Sequence, residues 1–156
     1  MICLNVEDIK AFTAHLFTKE TFDNFLLAEA VFATSFTTSF DGRRAEPEEG
    51  EAYVSWGEVR PQALSLIKGS RLPRSFRIVL RLSQKKTEEF LSSCRLSFSA
   101  GDVGGLYLNI RYSDKKITCM TGCAMQVFRP DKTLEHAFDD QICRLLKQSG
   151  IAVSLS

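Results

Sequence analysis

The spacing of apolar residues changes along the chain, and each spacing predicts an element of secondary structure. Residues 5–17 predict a first helix, because Ile9, Phe12 and Leu16 recur at intervals of three and four residues behind Asn5 as the N-cap. From residue 25 to residue 40 the period is two, which predicts one long amphipathic strand. Since most strands have about 3–10 residues, this length indicates a strongly curved sheet or a break in the strand.

The middle of the chain predicts a helix, a strand and a further helix. Ser55 and Glu58 form a capping-box pattern, followed by a helical stripe that ends at Gly69. Residues 74–83 alternate between apolar and polar side chains, which is typical of a strand with one buried face. Residues 87–94 then carry a third helical stripe.

The last third of the chain predicts a β-hairpin and a final helix. Residues 106–113 and 117–128 alternate on either side of a polar turn, and residues 130–150 carry one apolar stripe. The strongest strand pairing is therefore a local hairpin and not a βαβ crossover. We expect a single α+β domain over residues 1–156, with about four helices on a mostly antiparallel, curved sheet of about four to five strands.

Composition narrows the class of protein without indicating an activity. The 156 residues are 44% hydrophobic and 25% charged, which excludes a disordered or collagen-like chain. The formal net charge is +1, so nucleic-acid binding would have to depend on a local patch. We expect a cytoplasmic protein without a membrane segment, because no apolar run approaches about 18 residues and the first residues lack a signal-peptide pattern.

The five cysteines predict reduced thiols in a cell interior, because their number is odd and their positions are scattered. Cys119 and Cys123 lie four residues apart on one face of a predicted strand, which separates their Cα atoms by about 13 Å. That separation is too large for a disulfide or a shared zinc ion. We therefore expect two small buried side chains and no metal site.

Charge is segregated between two neighbouring segments. Residues 41–51 are rich in glutamate and begin with the turn-forming pair Asp-Gly, which predicts a mobile acidic surface loop. Residues 60–86 contain no acidic residue and carry eight basic ones: Arg60, Lys68, Arg71, Arg74, Arg77, Arg81, Lys85 and Lys86.

Arg77, Arg81 and Arg111 form the predicted anion-binding row. Arg77 and Arg81 share one face of a strand at a spacing of about 13 Å, which suits two separate phosphates, and Arg111 on another strand extends the row. Tyr107 and Trp56 are the candidate stacking partners. The alternative is a solvated or internally paired surface, because arginine stems also cover apolar groups and the nearby glutamates could neutralise the row: Glu46, Glu48, Glu49 and Glu51.

Catalytic patterns are weak. His136 lies one helical turn before Asp140 on the predicted last helix. Cys143 lies on the same helix about 10 Å from His136, which is beyond hydrogen-bond reach, so a thiol nucleophile would have to come from elsewhere. His15 has no acidic neighbour at helical spacing. The glycines of residues 101–105 run into a strand and indicate a turn, and the common hydrolase, phosphate-loop and metalloenzyme motifs are missing from the sequence. No cofactor is expected.

Several short strings resemble, over nearly the whole chain, a family of short uncharacterised bacterial proteins, a domain of unknown function from anaerobic gut-type bacteria. The resemblance implies a small bacterial cytosolic protein and transfers no catalytic or binding residue. The strings are Thr21–Leu27, Asp41–Arg43, Trp56–Pro61, Leu66–Gly69, Asn109–Tyr112 and Thr118–Gly122.

Three hypotheses for function follow from these patterns. The leading one is a non-catalytic binding or regulatory module whose basic strand face meets a polyanion or an acidic protein partner. The second is an enzyme of unfamiliar plan that uses His136 or a cysteine in a cleft. The third is a homo-oligomeric assembly protein that pairs through an exposed edge of the predicted strand 25–40.

Overall fold

The structure, a computed structural model, describes residues 1–48, 50–67, 73–128 and 130–156. Its described residues form four α-helices, nine strands and one short 3₁₀ helix at Ala100–Asp102. The helices are α1 Ile9–Phe17, α2 Trp56–Ile67, α3 Gln84–Ser93 and α4 Thr133–Gln148. The strands are β1 Cys3–Val6, β2 Leu26–Ala33, β3 Thr37–Asp41, β4 Arg43–Glu48, β5 Glu51–Tyr53, β6 Ser75–Arg81, β7 Val103–Ser113, β8 Lys116–Met125 and β9 Val153–Leu155.

Seven strands form one antiparallel sheet in the order β3-β2-β6-β7-β8-β1-β9, and β4 pairs with β5 in a separate two-stranded sheet. The predicted α+β class, the four helices and the antiparallel sheet are confirmed. The predicted count of four to five strands is wrong. It misses β1 and β9, because each has only three or four residues and pairs with a strand far away in the sequence.

The predicted single strand 25–40 is two strands. The chain turns between β2 and β3, where the Thr34 amide donates to the Phe36 carbonyl oxygen at 2.8 Å. Phe32 and Phe40 then face the core from neighbouring strands, with ring centres 5.8 Å apart, whereas Phe36 at the turn is exposed. The two-residue period continues through the turn, so alternation alone does not reveal the break.

The first helix begins later than its pattern predicts. Asp8 caps α1, since its carboxylate accepts a hydrogen bond from the Ala11 amide at 3.0 Å. Asn5, the predicted N-cap, lies in β1 opposite Thr118. The prediction failed because the first strand is too short to show a period of its own.

The predicted acidic loop 41–51 folds as the β4–β5 hairpin, although Glu49 lies outside the described residues. Arg44 anchors the hairpin through ion pairs with Glu48 at 3.0 Å and Glu58 at 2.6 Å. Gly42, the residue before β4, lies against the backbone of Leu27 in β2. A Cβ added at Gly42 would be 1.7 Å from the Leu27 carbonyl oxygen.

The β7–β8 hairpin is confirmed, with register from Leu106↔Cys123 to Ser113↔Lys116. Asp114 and Lys115 have φ angles of 52° and 62°, as a two-residue type I′ turn requires. The hairpin places a long, regular pair of strands at the centre of the sheet.

One hydrophobic cluster joins all four helices to a single face of the main sheet. The Trp56 indole is fully buried there and donates to the Leu16 carbonyl oxygen at 2.8 Å, so its predicted role as a surface stacking partner is wrong. The inward side chains of β2, β6 and β7 meet those of α1, and all of them are buried: Ala30, Phe32, Phe76, Ile78, Leu80, Leu108, Phe12, Leu16 and Phe17. The extent of the domain, residues 1–156, stays a prediction.

The longest described helix, α4, has 16 residues, and none of the described helices has the length and apolarity needed to cross a membrane.

Candidate functional site

The opposite face of the main sheet, here called the outer face, carries all three predicted arginines. The alternation that buries Phe76, Ile78 and Leu80 of β6 turns Arg77 and Arg81 to this side. Strand register places Arg111 of β7 directly opposite Arg77. The outer face is defined by Glu29, Val31, Ser39, Asp41, Ser75, Arg77, Val79, Arg81, Tyr107, Asn109, Arg111 and Ser113.

Arg77 and Arg111 are like charges on adjacent strands, an arrangement that destabilises a sheet unless a counter-charge lies nearby. Arg77 pairs with Glu29 of β2 at 2.7 Å, and both side chains are about half exposed, at 52% and 48%. Arg111 is exposed and forms no ion pair or hydrogen bond through its side chain with any described residue. Within the described residues, Glu29 therefore neutralises Arg77, and the Arg111 guanidinium has no paired carboxylate.

Arg81 has a different environment from the other two arginines. Its guanidinium carbon lies 4.7 Å from the ring centre of Tyr53 and 5.4 Å from that of Tyr107. Its Nε is buried and has no hydrogen-bond partner among the described residues. Cation–π contacts with two tyrosines thus hold Arg81 partly out of solvent.

Gly105 makes room for one of these rings. A Cβ at Gly105 would lie 2.7–2.8 Å from atoms of the Tyr107 ring, so only glycine lets that ring lie over its own strand. Gly122, which faces Tyr107 on β8, adds no side chain on the other flank. Tyr107 is confirmed on the face that carries Arg111.

Among the described residues, two depressions lie on the outer face. One, of about 550 Å³, includes the carboxylates of Glu29 and Asp41 together with Arg43 and Tyr53. The other, of about 400 Å³, is lined by Val31, Ser75, Phe76, Arg77, Arg111, Tyr112 and Ser113. No carboxylate of the described residues lines this second depression, so its polar groups are cations and hydroxyls.

The acidic segment does not neutralise the arginine row within the described part of the chain. Glu48 pairs with Arg44, and the carboxylate that contacts Arg77 comes from Glu29 of β2. Neither Glu46 nor Glu51 forms an ion pair with a described residue.

The remaining cations of the segment 60–86 are spread over different surfaces. Arg60 binds both carboxylate oxygens of Asp23 at 2.9 Å, and these hydrogen bonds raise the pKa of Arg60. Arg74 donates to the Thr34 carbonyl oxygen, and Lys86 pairs with Glu89 at 3.7 Å. Lys68 and Arg71 lie outside the described residues, as does Gly69, the predicted end of the second helix.

A cleft of about 380 Å³ lies on the helical side, between α3, α4 and the segment before β2. Its walls are largely apolar, with Phe25, Phe90, Phe138 and Ile142, and Lys86 is among its polar lining residues. No histidine or cysteine of the described chain lines it.

The catalytic candidates do not come together in this cleft or elsewhere. His136 is exposed on α4, and its imidazole contacts no thiol or carboxylate among the described residues. Burial raises the pKa of the Cys119 thiol to about 12 and also raises the pKa values of Cys123 and Cys143, so none is an activated thiolate. The described residues contain no cluster of three or more potential metal ligands from His, Cys, Asp and Glu.

A family model matches residues 15–154, a span that includes the whole arginine row. Its description is a family of unknown function, DUF5721. The chain belongs to this family. Since the description of DUF5721 gives no activity, membership assigns no role to Arg77, Arg81 or Arg111. Comparisons with curated proteins and with solved structures find no match.

Sequence reasoning identified Arg77, Arg81, Arg111 and Tyr107 as residues of one surface but assigned no role to four of their neighbours. Glu29 and Tyr53 lie on segments whose pairing the sequence did not reveal. Ser75 and Ser113 belong to no sequence motif. The one usable signal was alternation, which places Ser75 on the same strand face as Arg77.

Proposed function

We propose that this member of DUF5721 is a non-catalytic binding module whose outer face binds a polyanion through Arg77, Arg81 and Arg111. One observation carries the proposal: Arg77 and Arg111 are directly opposed on neighbouring strands, and of the two only Arg77 contacts a carboxylate among the described residues. A sheet gains nothing from such a pair without a counter-charge. An anionic ligand would supply that charge.

The spacing of the row suits an extended ligand. Arg77 and Arg81 lie four residues apart on one strand, about 13 Å in an extended chain, so they would contact separate anionic groups. Tyr53 and Tyr107 flank Arg81 and add aromatic surface beside the cations. These features favour a single-stranded nucleic acid as the first polyanion to test.

The test is fluorescence anisotropy with a labelled single-stranded oligonucleotide between roughly 50 and 300 mM salt. We expect the logarithm of the binding constant to fall linearly with the logarithm of salt concentration. The double variant Arg77→Ala/Arg111→Ala should bind more weakly and lower the slope by about 0.7 for each phosphate that is no longer neutralised. The matched control, Arg144→Ala/Lys147→Ala, removes the same charge from exposed positions of α4 and should match the wild type.

A labelled oligoglutamate peptide, measured beside the oligonucleotide, separates the two kinds of anionic partner. Binding of the peptide alone would redirect the proposal to an acidic protein. If neither probe binds at low salt, or if the control variant weakens binding as much as the outer-face variant, the proposal is wrong.

A second candidate, homo-oligomeric assembly, is favoured by the position of β3. This strand is at the edge of the main sheet. The backbone N–H and C=O groups on its side away from β2 pair with no strand of the described chain. A second copy could add its own β3 there. Light scattering over a hundredfold range of concentration should then show a dimer that Ser39→Pro abolishes, and a monomer at all concentrations would exclude this candidate.

We also propose a bacterial cytoplasmic location. The resemblance to short bacterial proteins supports the source, and the cysteines support the location, since all five are unpaired: Cys3, Cys94, Cys119, Cys123 and Cys143. Recovery of the native protein in a membrane or secreted fraction would contradict it.

A further inference from the structure

We infer that Arg77 and Arg111 bind one phosphate group together, with the hydroxyls of Ser75 and Ser113 completing the site. This inference rests on the proposed function and names the group that the outer face recognises. It also gives Arg77 and Arg111 a joint role that differs from that of Arg81.

Strand register brings the four side chains together. Ser75 faces Ser113 and Arg77 faces Arg111, and both pairs lie on the outer face two residues apart along β6 and β7. In an antiparallel pair the Cβ atoms of facing residues are about 5 Å apart, and the next pair on the same face lies about 7 Å further along. Two flexible guanidinium groups at that distance can reach the same phosphate, which Arg77 and Arg81 at about 13 Å cannot.

The depression between these residues has suitable chemistry for a phosphate. It has a volume of about 400 Å³, and its described lining contains two guanidinium groups and two serines but no carboxylate. Neither serine hydroxyl has another hydrogen-bond partner in the described structure. Planar guanidinium groups bind phosphate oxygens in pairs, and hydroxyls donate to the oxygens that remain.

The position of Glu29 provides a test in which a substitution should increase phosphate affinity instead of decreasing it. The Oε1 atom of Glu29 lies 2.7 Å from Nη2 of Arg77. The remaining N–H groups of Arg77 form no hydrogen bond with a described residue. A guanidinium has five N–H donors, so a phosphate and Glu29 can both be accommodated, but the carboxylate repels the phosphate. Glu29→Gln should therefore increase affinity for phosphate, in contrast to every variant that removes a donor.

The first experiment compares oligonucleotide binding by variants that separate geometry from charge. Arg111→Lys keeps the charge but removes the paired donors, and we expect it to weaken binding several-fold, whereas Arg111→Ala should weaken it about tenfold. Ser75→Ala/Ser113→Ala should weaken binding about threefold with an unchanged salt slope, since no charge is removed. Ser39→Ala, on the outer face of β3, is the matched control and should behave as the wild type.

The second experiment distinguishes the two sources of a phosphate group, a nucleic-acid backbone and a terminal or free phosphate. Amide chemical shifts are followed by NMR while inorganic phosphate, a nucleoside monophosphate and oligonucleotides with or without a 5′-phosphate are added. Chloride at equal ionic strength is the control. We expect shifts at Ser75, Arg77, Arg111 and Ser113 with every phosphate-bearing probe.

The outcomes separate this inference from the proposed function. Salt-dependent oligonucleotide binding that Arg111→Lys and the serine variant leave unchanged would overturn the phosphate site while the proposed polyanion binding stands. Binding of inorganic phosphate or the monophosphate alone would support the site and overturn the proposed polyanion. Weaker binding by Glu29→Gln, in protein that retains the wild-type Trp56 emission, would also overturn the site.

Discussion

The guanidinium carbon of Arg81 lies 4.7 Å from the centre of the Tyr53 ring, so a central strand of the main sheet holds the β4–β5 hairpin against the outer face. The two residues come from segments that are 28 positions apart in the chain. The contact covers one end of the arginine row and leaves Arg77 and Arg111 at the uncovered end.

Tyr53→Ala should release the hairpin without unfolding the sheet. The cation–π contact of a partly buried pair contributes about 0.5–2 kcal/mol, so we expect a decrease of that size in the free energy of unfolding. Amide hydrogen exchange should become faster in β4 and β5 and stay unchanged in β7. Tyr53→Phe keeps the ring and should retain the wild-type exchange rates. Equal loss of protection in both sheets would show that the hairpin is not held locally.

Gly42→Ala should be among the most destabilising single substitutions in the chain. The new Cβ would lie 1.7 Å from the Leu27 carbonyl oxygen, and backbone, unlike a side chain, cannot rotate away. We expect a decrease of about 3 kcal/mol or more in the free energy of unfolding by urea, followed by the emission of the single tryptophan, Trp56. Gly101→Ala is the control, because its Cβ would meet only the Ser99 hydroxyl at 3.9 Å. Similar stabilities of the two variants would contradict this account.

Arg111→Glu should stabilise the protein while it removes the proposed ligand site. The substitution replaces a like-charge cross-strand pair with an opposite-charge pair to Arg77, which is worth about 0.2–1 kcal/mol at low salt and less as salt rises. Lys116→Glu makes the same change of charge opposite Ser113 and is the control. A lower unfolding free energy for Arg111→Glu than for this control would show that the arginine pair is not a source of strain.

The stability of the protein should depend on the protonation of His15. Burial, with the charge of Lys19 as a smaller cause, lowers the pKa of His15 below 6.5, and its Nδ1 forms a 2.7 Å hydrogen bond with the Thr21 hydroxyl. A lowered pKa means that the unfolded chain takes up a proton first. The contribution of neutral His15 to the free energy of unfolding is therefore fully present above pH 6.5, and it is lost as the pH falls through the pKa that His15 has in the folded protein.

The measurement is the unfolding free energy between about pH 7.5 and pH 5 for the wild type, His15→Gln and His136→Gln. The decline toward low pH should be smaller in His15→Gln, whereas His136→Gln should follow the wild type. An NMR titration that gives His15 a pKa of 6.5 or higher would exclude this linkage.

The thiols should react in an order set by burial. Cys94 is exposed, whereas Cys119 is 1% exposed and burial raises its pKa to about 12. At pH 8 a disulfide reagent should modify Cys94 rapidly and Cys119 only after denaturation, because the thiolate is the reactive form. Cys94→Ser should remove the fast phase. Rapid native labelling of Cys119 would show that β8 opens more readily than its burial indicates.

Several elements could be predicted because their signals are local. The alternation in β6, the polar turn between β7 and β8, and the apolar stripe of α4 each lie within about 20 consecutive residues. Alternation also placed Arg77 and Arg81 on one face. Gly42 shows the limit of such signals: the Asp-Gly pair predicted a turn, but the reason for glycine is the approach of Leu27, which is distant in the sequence.

The sequence by itself determined the α+β class, most of the strand faces and the outward direction of the arginine row, because periodicity depends only on neighbouring residues. Only the tertiary structure decided that Arg111 faces Arg77, that Glu29 pairs with Arg77 and that Tyr53 covers Arg81. These contacts depend on strand order and register across the sheet. A short turn fixes the register of a hairpin such as β7–β8, whereas the register between strands distant in the sequence depends on how those strands pack on a common core.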